Sequence, residues 1–499
     1  ALHDDSTQGR GFGYLTYQLD QVQRLSVLAS ATTARFQIPD TPGLVPRYTV
    51  AGEPPPDSAR LDERQGEQNE YGVVSYAAAA AAGESVQAAL FSRYGRIAFT
   101  PDVAGDLAFG GVASRVDESF LSNGLQLDAS RVLGERQVLR GGLLITRESS
   151  GRVADSALFE TAGASQGPGL GQGLGQLSDV PVERVEHEDV AGLLTGVYLE
   201  DEWRPLAAVT VNAGLRYDRA AAILRQSQLS PRLNGVWRLG AVTTVHAGYA
   251  RYFTPPTLQY IPPASVALFA GTTNAPQTTL DSPPRAERAD YYDLGLTRQL
   301  AAAWQVSLDA FDKEAANLID LGQFGNAVIL APFNYRVGRV HGAELSTKAR
   351  LRGLALYANA GYVFTRARDI ISAQFEFPAA ELAYIATHDI RLDHEGEVSA
   401  TAGAAYDWRA LRAFVNVLYC SGLRSGFANL QKLPAYAPLN LGVSRTVPLA
   451  RSGLALQLRL DLLNVLDEVY QIRNGTGVGI AASQYGPRRT AYGGAVLLF

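Results

Sequence analysis

Residues 209–218 read VTVNAGLRYD, and this stretch restricts the fold more than any other. Val209, Val211, Ala213, Leu215 and Tyr217 fall on one side of the run; Thr210, Asn212, Gly214, Arg216 and Asp218 fall on the other. A repeat of two belongs to extended backbone, whose successive side chains point to opposite faces. The repeat recurs in WQVSLDA, where Trp304, Val306, Leu308 and Ala310 oppose Gln305, Ser307 and Asp309. In LALQLRLDL, Leu454, Leu456, Leu458, Leu460 and Leu462 oppose Ala455, Gln457, Arg459 and Asp461.

About 19 such segments follow one another from near 10–20 to 489–499, and their connections alternate in length. Short turns fall around 21–22, 83–84, 134–135, 205–206, 239–241, 299–302, 351–353, 409–410 and 447–452. Long loops fall at 37–69, 150–189, 255–287, 317–334, 370–392, 423–434 and 469–488, with 223–227 the brief exception. Tight turns on one side and large loops on the other predict an all-β fold, a transmembrane antiparallel β-barrel with its short turns in the periplasm. A solenoid or propeller needs a constant repeat length. Two soluble sandwiches would turn the apolar faces inward, a choice that alternation by itself leaves open. The number of strands, the loop asymmetry and the apolar ending TAYGGAVLLF favour the barrel, with Ala495, Leu497 and Phe499 facing lipid. Val496 and Leu498 then point inward and break the pattern.

Composition fits this reading. Glycine is abundant at 49, and Tyr (23) outnumbers Phe (18), which suits strands and interfacial aromatics. No run of 18 apolar residues exists, which excludes a membrane-spanning helix and not a membrane-spanning strand. Lys and Arg number 44 against 49 Asp and Glu, so no basic footprint for nucleic acid is present.

No catalytic group emerges, and the chain does not read as an enzyme. GASQG at 163–167 has the G-x-S-x-G form but lacks the strand-to-helix context that strains a nucleophilic serine; it reads as an outer loop. Cys420 stands alone, so neither a disulfide framework nor a cysteine metal site is expected. The six histidines never take paired-ligand spacing. EHED at 186–189 and LDHEGE at 392–397 put carboxylates beside a histidine, which in principle holds a metal; both read as solvated loop or rim. No metal and no cofactor are expected.

Charges inside alternating segments are more informative. Arg216, Asp218, Arg251, Arg459 and Asp461 are expected to face the lumen, because an Arg on the lipid side near the midplane costs about 2–4 kcal/mol. There they either cross-link the wall or contact a passing anionic solute. The loop at 252–276, YFTPPTLQYIPPASVALFAGTTNAP, is rich in Pro and aromatics. Tyr252, Phe253, Tyr260 and Phe269 are the candidate ligand-binding residues of an outer vestibule; the alternative places them on the barrel rim or in the aromatic girdle.

YLEDEWRP, TVNAGLRYD, QLSPRLNGVWRL, TTVHAGYARYFTPP, ERADYYDLGLTRQL, RVHGAELS, LDLLNVLDEVYQIR and QYGPRRTAYGGAVLLF occur in that order. Together they resemble the barrel of TonB-dependent outer-membrane receptors across nearly the whole sequence, Cys420 standing where related barrels commonly carry Gly. The resemblance implies a barrel of about 22 strands with a plugged lumen. Residues 1–499 then read as one barrel domain, with the plug domain and about three strands falling outside it. It also implies uptake of a scarce solute, such as an iron–siderophore complex, across the cell outer membrane. The implied partners are outer-membrane lipid, the TonB complex and an unidentified solute. A passive pore or a receptor remnant is the alternative. An odd strand count predicts a parallel or defective closure between about 10–20 and 490–499.

Overall fold

The computed structural model describes residues 5–79, 83–162, 175–326, 329–449, 453–479 and 483–498. The GASQG segment and Phe499 lie outside them. One sheet of 19 strands contains almost all of the extended backbone. Each strand pairs antiparallel with the next along the chain, from Ser6–Gln18 on Gln23–Gln37 to Ala455–Leu463 on Thr490–Leu498. Among the described residues, the first and last strands each have a single ladder partner, and no antiparallel seam joins them.

The alternation sorts onto two faces. Leu199 sits opposite Leu215, and Leu308 bridges Leu296 and Leu345. All five are solvent-accessible in the isolated protein, as are Leu233, Leu294, Leu458 and Leu460. The leucines are therefore not sandwiched between two sheets; they form a continuous apolar outer surface, which suits contact with hydrocarbon. The other face is identified by Arg152, whose side chain reaches the carbonyl of Tyr260 in the 255–286 connection folded inside. On the same strand and face, Arg140 meets Glu202. Tyr198, on the face of Glu202, stands opposite Arg216. That face is polar and inward.

The four tryptophans, Trp203, Trp237, Trp304 and Trp408, are all exposed. Each occupies the short-turn end of its strand on the leucine face. This is the placement of an interfacial aromatic belt, where the ring is half in hydrocarbon and its polar end finds a partner; the Trp304 indole N–H donates to the Thr347 hydroxyl at 2.8 Å.

Strands near the middle of the chain run longer than the alternation predicts. Gln137–Leu158 and Val182–Leu206 span 22 and 25 residues, so the expected loop 150–189 shrinks to 159–181. A bilayer needs only about 9–11 residues per tilted strand. The remainder projects beyond it, where both faces meet protein or water and the period of two loses its cause.

The long connections do not splay. Short helices at Val103–Gly110, Pro263–Leu268 and Ala379–Ile385 fold back over the barrel mouth. Phe269 packs edge-on to Phe324 at 4.9 Å, Phe324 on Phe375 at 5.3 Å, and Phe333 on Tyr335 at 5.0 Å and Phe377 at 4.8 Å. Ala428 and Val478, from two later loops, join the same buried cluster. The core of this protein is thus a cap at one end of the barrel, and the wall below it is one side chain thick.

Candidate ligand site at the outer mouth

The cap brings charged groups into an apolar setting. Arg152 and Glu186, on adjacent strands, meet at 2.6 Å, and the same guanidinium donates to the Tyr260 carbonyl at 3.0 Å. Glu395 in the 371–397 loop accepts from Arg391 at 2.6 Å and Arg424 at 3.1 Å. Its other oxygen accepts from the Thr365 amide at 2.7 Å. Burial raises this carboxyl, but the Arg391 and Thr365 bonds outweigh it and hold the group below the usual range. The two histidine-flanking motifs are therefore only partly solvated: His187 is exposed, whereas Glu186 and Glu395 are buried. A buried carboxylate needs a cation and hydrogen bonds; Arg391 is four residues from Glu395, whereas Arg424, Thr365 and, for Glu186, Arg152 come from distant parts of the chain.

Other acids in the cap lack such partners. Neither oxygen of Glu376 nor of Asp281 has a hydrogen bond among the described residues. Burial pushes Glu376 far above a normal carboxylate, with Asp281 adding to it. Burial likewise raises Asp281 to about 6. A Cβ on Gly322 would meet the Glu376 carboxylate, so any larger residue there requires that side chain to move. Asp320, Asp393 and His394 form a further group, with ligand-capable atoms within 4.8 Å of one another.

The expected vestibule residues do not share one surface. Tyr252 lies on the inward face, exposed and edge-on to Tyr291 at 6.0 Å. Tyr260 is half-buried, its hydroxyl raised to about 12 by burial and then by Asp281 and Glu188. Phe253 points the other way, under the guanidinium of Arg288 at 5.6 Å on the outward rim. Phe269 is 1 % exposed. It is a core residue of the cap and presents no surface to a solute, because a large aromatic in a loop gains more from burial than from exposure.

The expected lumen charges divide similarly. Arg216 pairs with Asp218 at 2.8 Å, and Arg459 with Asp461 at 2.6 Å, all on the polar face. His246 stands between Asp293 at 3.5 Å and Asp309 at 3.3 Å on that face. Arg251 does not join them. It shares a face with Tyr249, and its Nε lies 3.7 Å from Asp290, which also accepts from the Tyr249 hydroxyl at 2.8 Å. Tyr249 and Tyr292 pack beside them with rings tilted, centroids 5.2 Å apart. Position 251 is close to the outer end of its strand, Thr243–Thr254, where headgroups and water receive an arginine that the bilayer centre would reject. At the opposite end of the lumen, a cavity of about 740 Å³ is lined by Lys348, Arg350, Arg412 and Arg459, among others.

Residues 2–465 match the family model described as TonB dependent receptor-like, beta-barrel. No curated protein sequence matches the chain. The fold is similar to that of the ferric yersiniabactin uptake receptor FyuA from Yersinia pestis, with 13 % identity and a TM-score of 0.70; 99 % of this chain and 71 % of that one are covered. The siderophore receptor PiuA from Acinetobacter baumannii gives 14 % identity and 0.65, covering 99 % and 74 %. The copper transporter OprC gives 13 % and 0.67, covering 99 % and 71 %.

Proposed function

The chain belongs to the TonB-dependent receptor β-barrel family, and from that premise we propose that residues 1–499 form the outer-membrane barrel domain of a receptor that takes up a scarce solute, such as an iron–siderophore complex. The energy for release would come from the TonB complex acting on a plug domain. The family is one of receptors and transporters rather than enzymes. Similar folds include receptors described for ferric yersiniabactin, siderophores and copper.

The observation that carries this reading is the cap. A porin leaves an aqueous channel through its lumen, whereas here the outer connections converge on the buried aromatic cluster around Phe269, Phe324 and Phe333. A mouth closed by packed loops suits capture followed by gated passage. The inward Arg216, Asp218, Arg459 and Asp461 pair within single strands, which satisfies their charges locally and supports a structural role for them ahead of direct solute contact. Tyr252 and Tyr260 remain the candidate solute contacts of the four aromatics, since they alone lie on the inner side or half-exposed beneath the loop.

The test is accumulation of radiolabelled iron chelates by cells carrying the full-length protein, with and without a functional TonB complex. Uptake that disappears without TonB supports the receptor reading. Uptake that persists at the same rate means a passive pore.

A further inference from the structure

Asp320 lies near the outer end of strand Trp304–Gln323, beyond the left-handed Asn317 (φ 55°) that interrupts the alternation, and the 371–397 loop brings Asp393 and His394 against it. His394 Nδ1 is 2.8 Å from Asp393 Oδ1 and 4.0 Å from Asp320 Oδ1. Asp393 Oδ2 is taken by Arg473, at 3.3 Å, from the 464–489 loop. Asp320 Oδ1 accepts the Leu321 amide at 2.9 Å. Two polar atoms at this place have no partner among the described residues: Asp320 Oδ2 and the hydroxyl of Tyr335. Tyr335 is fully buried, and both aspartates act electrostatically on its hydroxyl. An orphaned buried hydroxyl costs about 1–3 kcal/mol, so a native protein that keeps one calls for an explanation.

We propose that Asp320, Asp393 and His394 bind a divalent transition-metal cation of the Zn²⁺ type, which ties the outer end of the barrel wall to the cap. The donor set selects the class. Two carboxylate oxygens and one imidazole nitrogen suit Zn²⁺, which accepts both at about 2.0–2.2 Å; Ca²⁺ and Mg²⁺ take oxygen ligands. Tetrahedral ligands at that radius lie about 3.4 Å apart, so the widest gap, within 4.8 Å, closes by up to about 1.4 Å while the 2.8 Å His394–Asp393 contact opens slightly. The cation takes the place between His394 and Asp393 that the imidazole proton holds without it. Three protein ligands leave one coordination position, and a water there gives the Tyr335 hydroxyl its missing partner. Arg473 keeps Asp393 oriented from the second side, as outer partners of metal ligands do. The site does not depend on which solute the receptor carries.

The experiment uses the full-length protein purified from outer membranes in detergent, with Zn²⁺ alone as the probe. Titration calorimetry and metal analysis after dialysis should give one Zn²⁺ per chain. His394→Gln and Asp320→Asn should each weaken it by at least about tenfold, while His388→Gln, at an exposed histidine of the same loop, should leave it unchanged. Zn²⁺ should also slow proteolysis of the 371–397 loop in the wild type and not in His394→Gln. Absence of stoichiometric Zn²⁺ binding overturns the proposal. So does equal affinity in His394→Gln, equal loss in His388→Gln, or tighter binding of Ca²⁺. If Asp320→Asn does not fold, His394→Gln decides.

Discussion

Arg152 and Glu186 are held 2.6 Å apart with side chains 3 % and 1 % exposed, on neighbouring strands where the barrel wall meets the cap. The pair is stapled to the cap through the Tyr260 carbonyl. Removing the cation strands a buried carboxylate, which typically costs about 3–5 kcal/mol. Arg152→Ala is therefore expected to loosen the 255–286 loop, seen as faster cleavage there by an external protease, while the membrane-embedded barrel still resists heat and detergent. Equal protease resistance of variant and wild type would show that the pair contributes little.

The two faces of strand Val209–Ala221 make opposite predictions one residue apart. Leu215→Arg places a charge on the lipid side and should cost about 2–4 kcal/mol near the midplane, reducing the folded, heat-modifiable fraction in outer membranes. Arg216→Leu removes only a partner of Asp218 in a wet lumen, worth about 0–1 kcal/mol. The yield of folded barrel from the two variants checks this; matched yields would contradict the assignment of faces.

Gly422 opens the 421–438 loop with φ of 91°, and a Cβ there would run into the Leu433 backbone carbonyl. Both effects act against any side chain, since the left-handed region and a backbone obstacle coincide. Gly422→Ala should destabilise that loop by more than about 1 kcal/mol. Hydrogen exchange should show lost protection from 421 to 438, with the neighbouring wall unchanged.

Two cap carboxylates respond to pH with opposite sign. Glu395 has its folded-state value lowered, because Arg391 and Thr365 outweigh burial. Its contribution is present above the ordinary glutamate value, about 4.3, and is lost as pH falls through the lowered one. Asp281 is raised to about 6 by burial. Its contribution is present below the ordinary aspartate value, about 3.9, and is lost as pH rises through about 6. Protection of the 255–286 loop should therefore fall between about pH 4 and 7, and Asp281→Asn should abolish that fall. Below about pH 4 the 371–397 loop should lose the share of its protection that Glu395 supplies, with or without the substitution.

What the sequence shows and hides follows from where period two has a physical cause. Leu199, Leu215 and Leu308 alternate with polar neighbours because lipid lies on one side and water on the other, and the strand count is readable from that contrast. Charge alone points Arg251 into the lumen, although its position matches Tyr249; at the strand end both faces are wet and charge no longer reports direction. Phe269 and Glu395 lie in connections without any period, so their burial depends on partners such as Phe324 and Arg424 that only the folded cap brings near. The tryptophans were visible as residues, but their common level appears only once the strand register is known. Asp320 gave no sign of its own, being one acid in an alternating strand until the loop carrying His394 folds onto it.

The most direct measurement uses those tryptophans without any substitution. In bilayers containing lipids brominated at shallow acyl positions, emission from Trp203, Trp237, Trp304 and Trp408 should be strongly quenched, and aqueous iodide should have little effect. Strong iodide quenching with no response to brominated lipid would place the leucine face in water and contradict the barrel's orientation, and with it the transport reading.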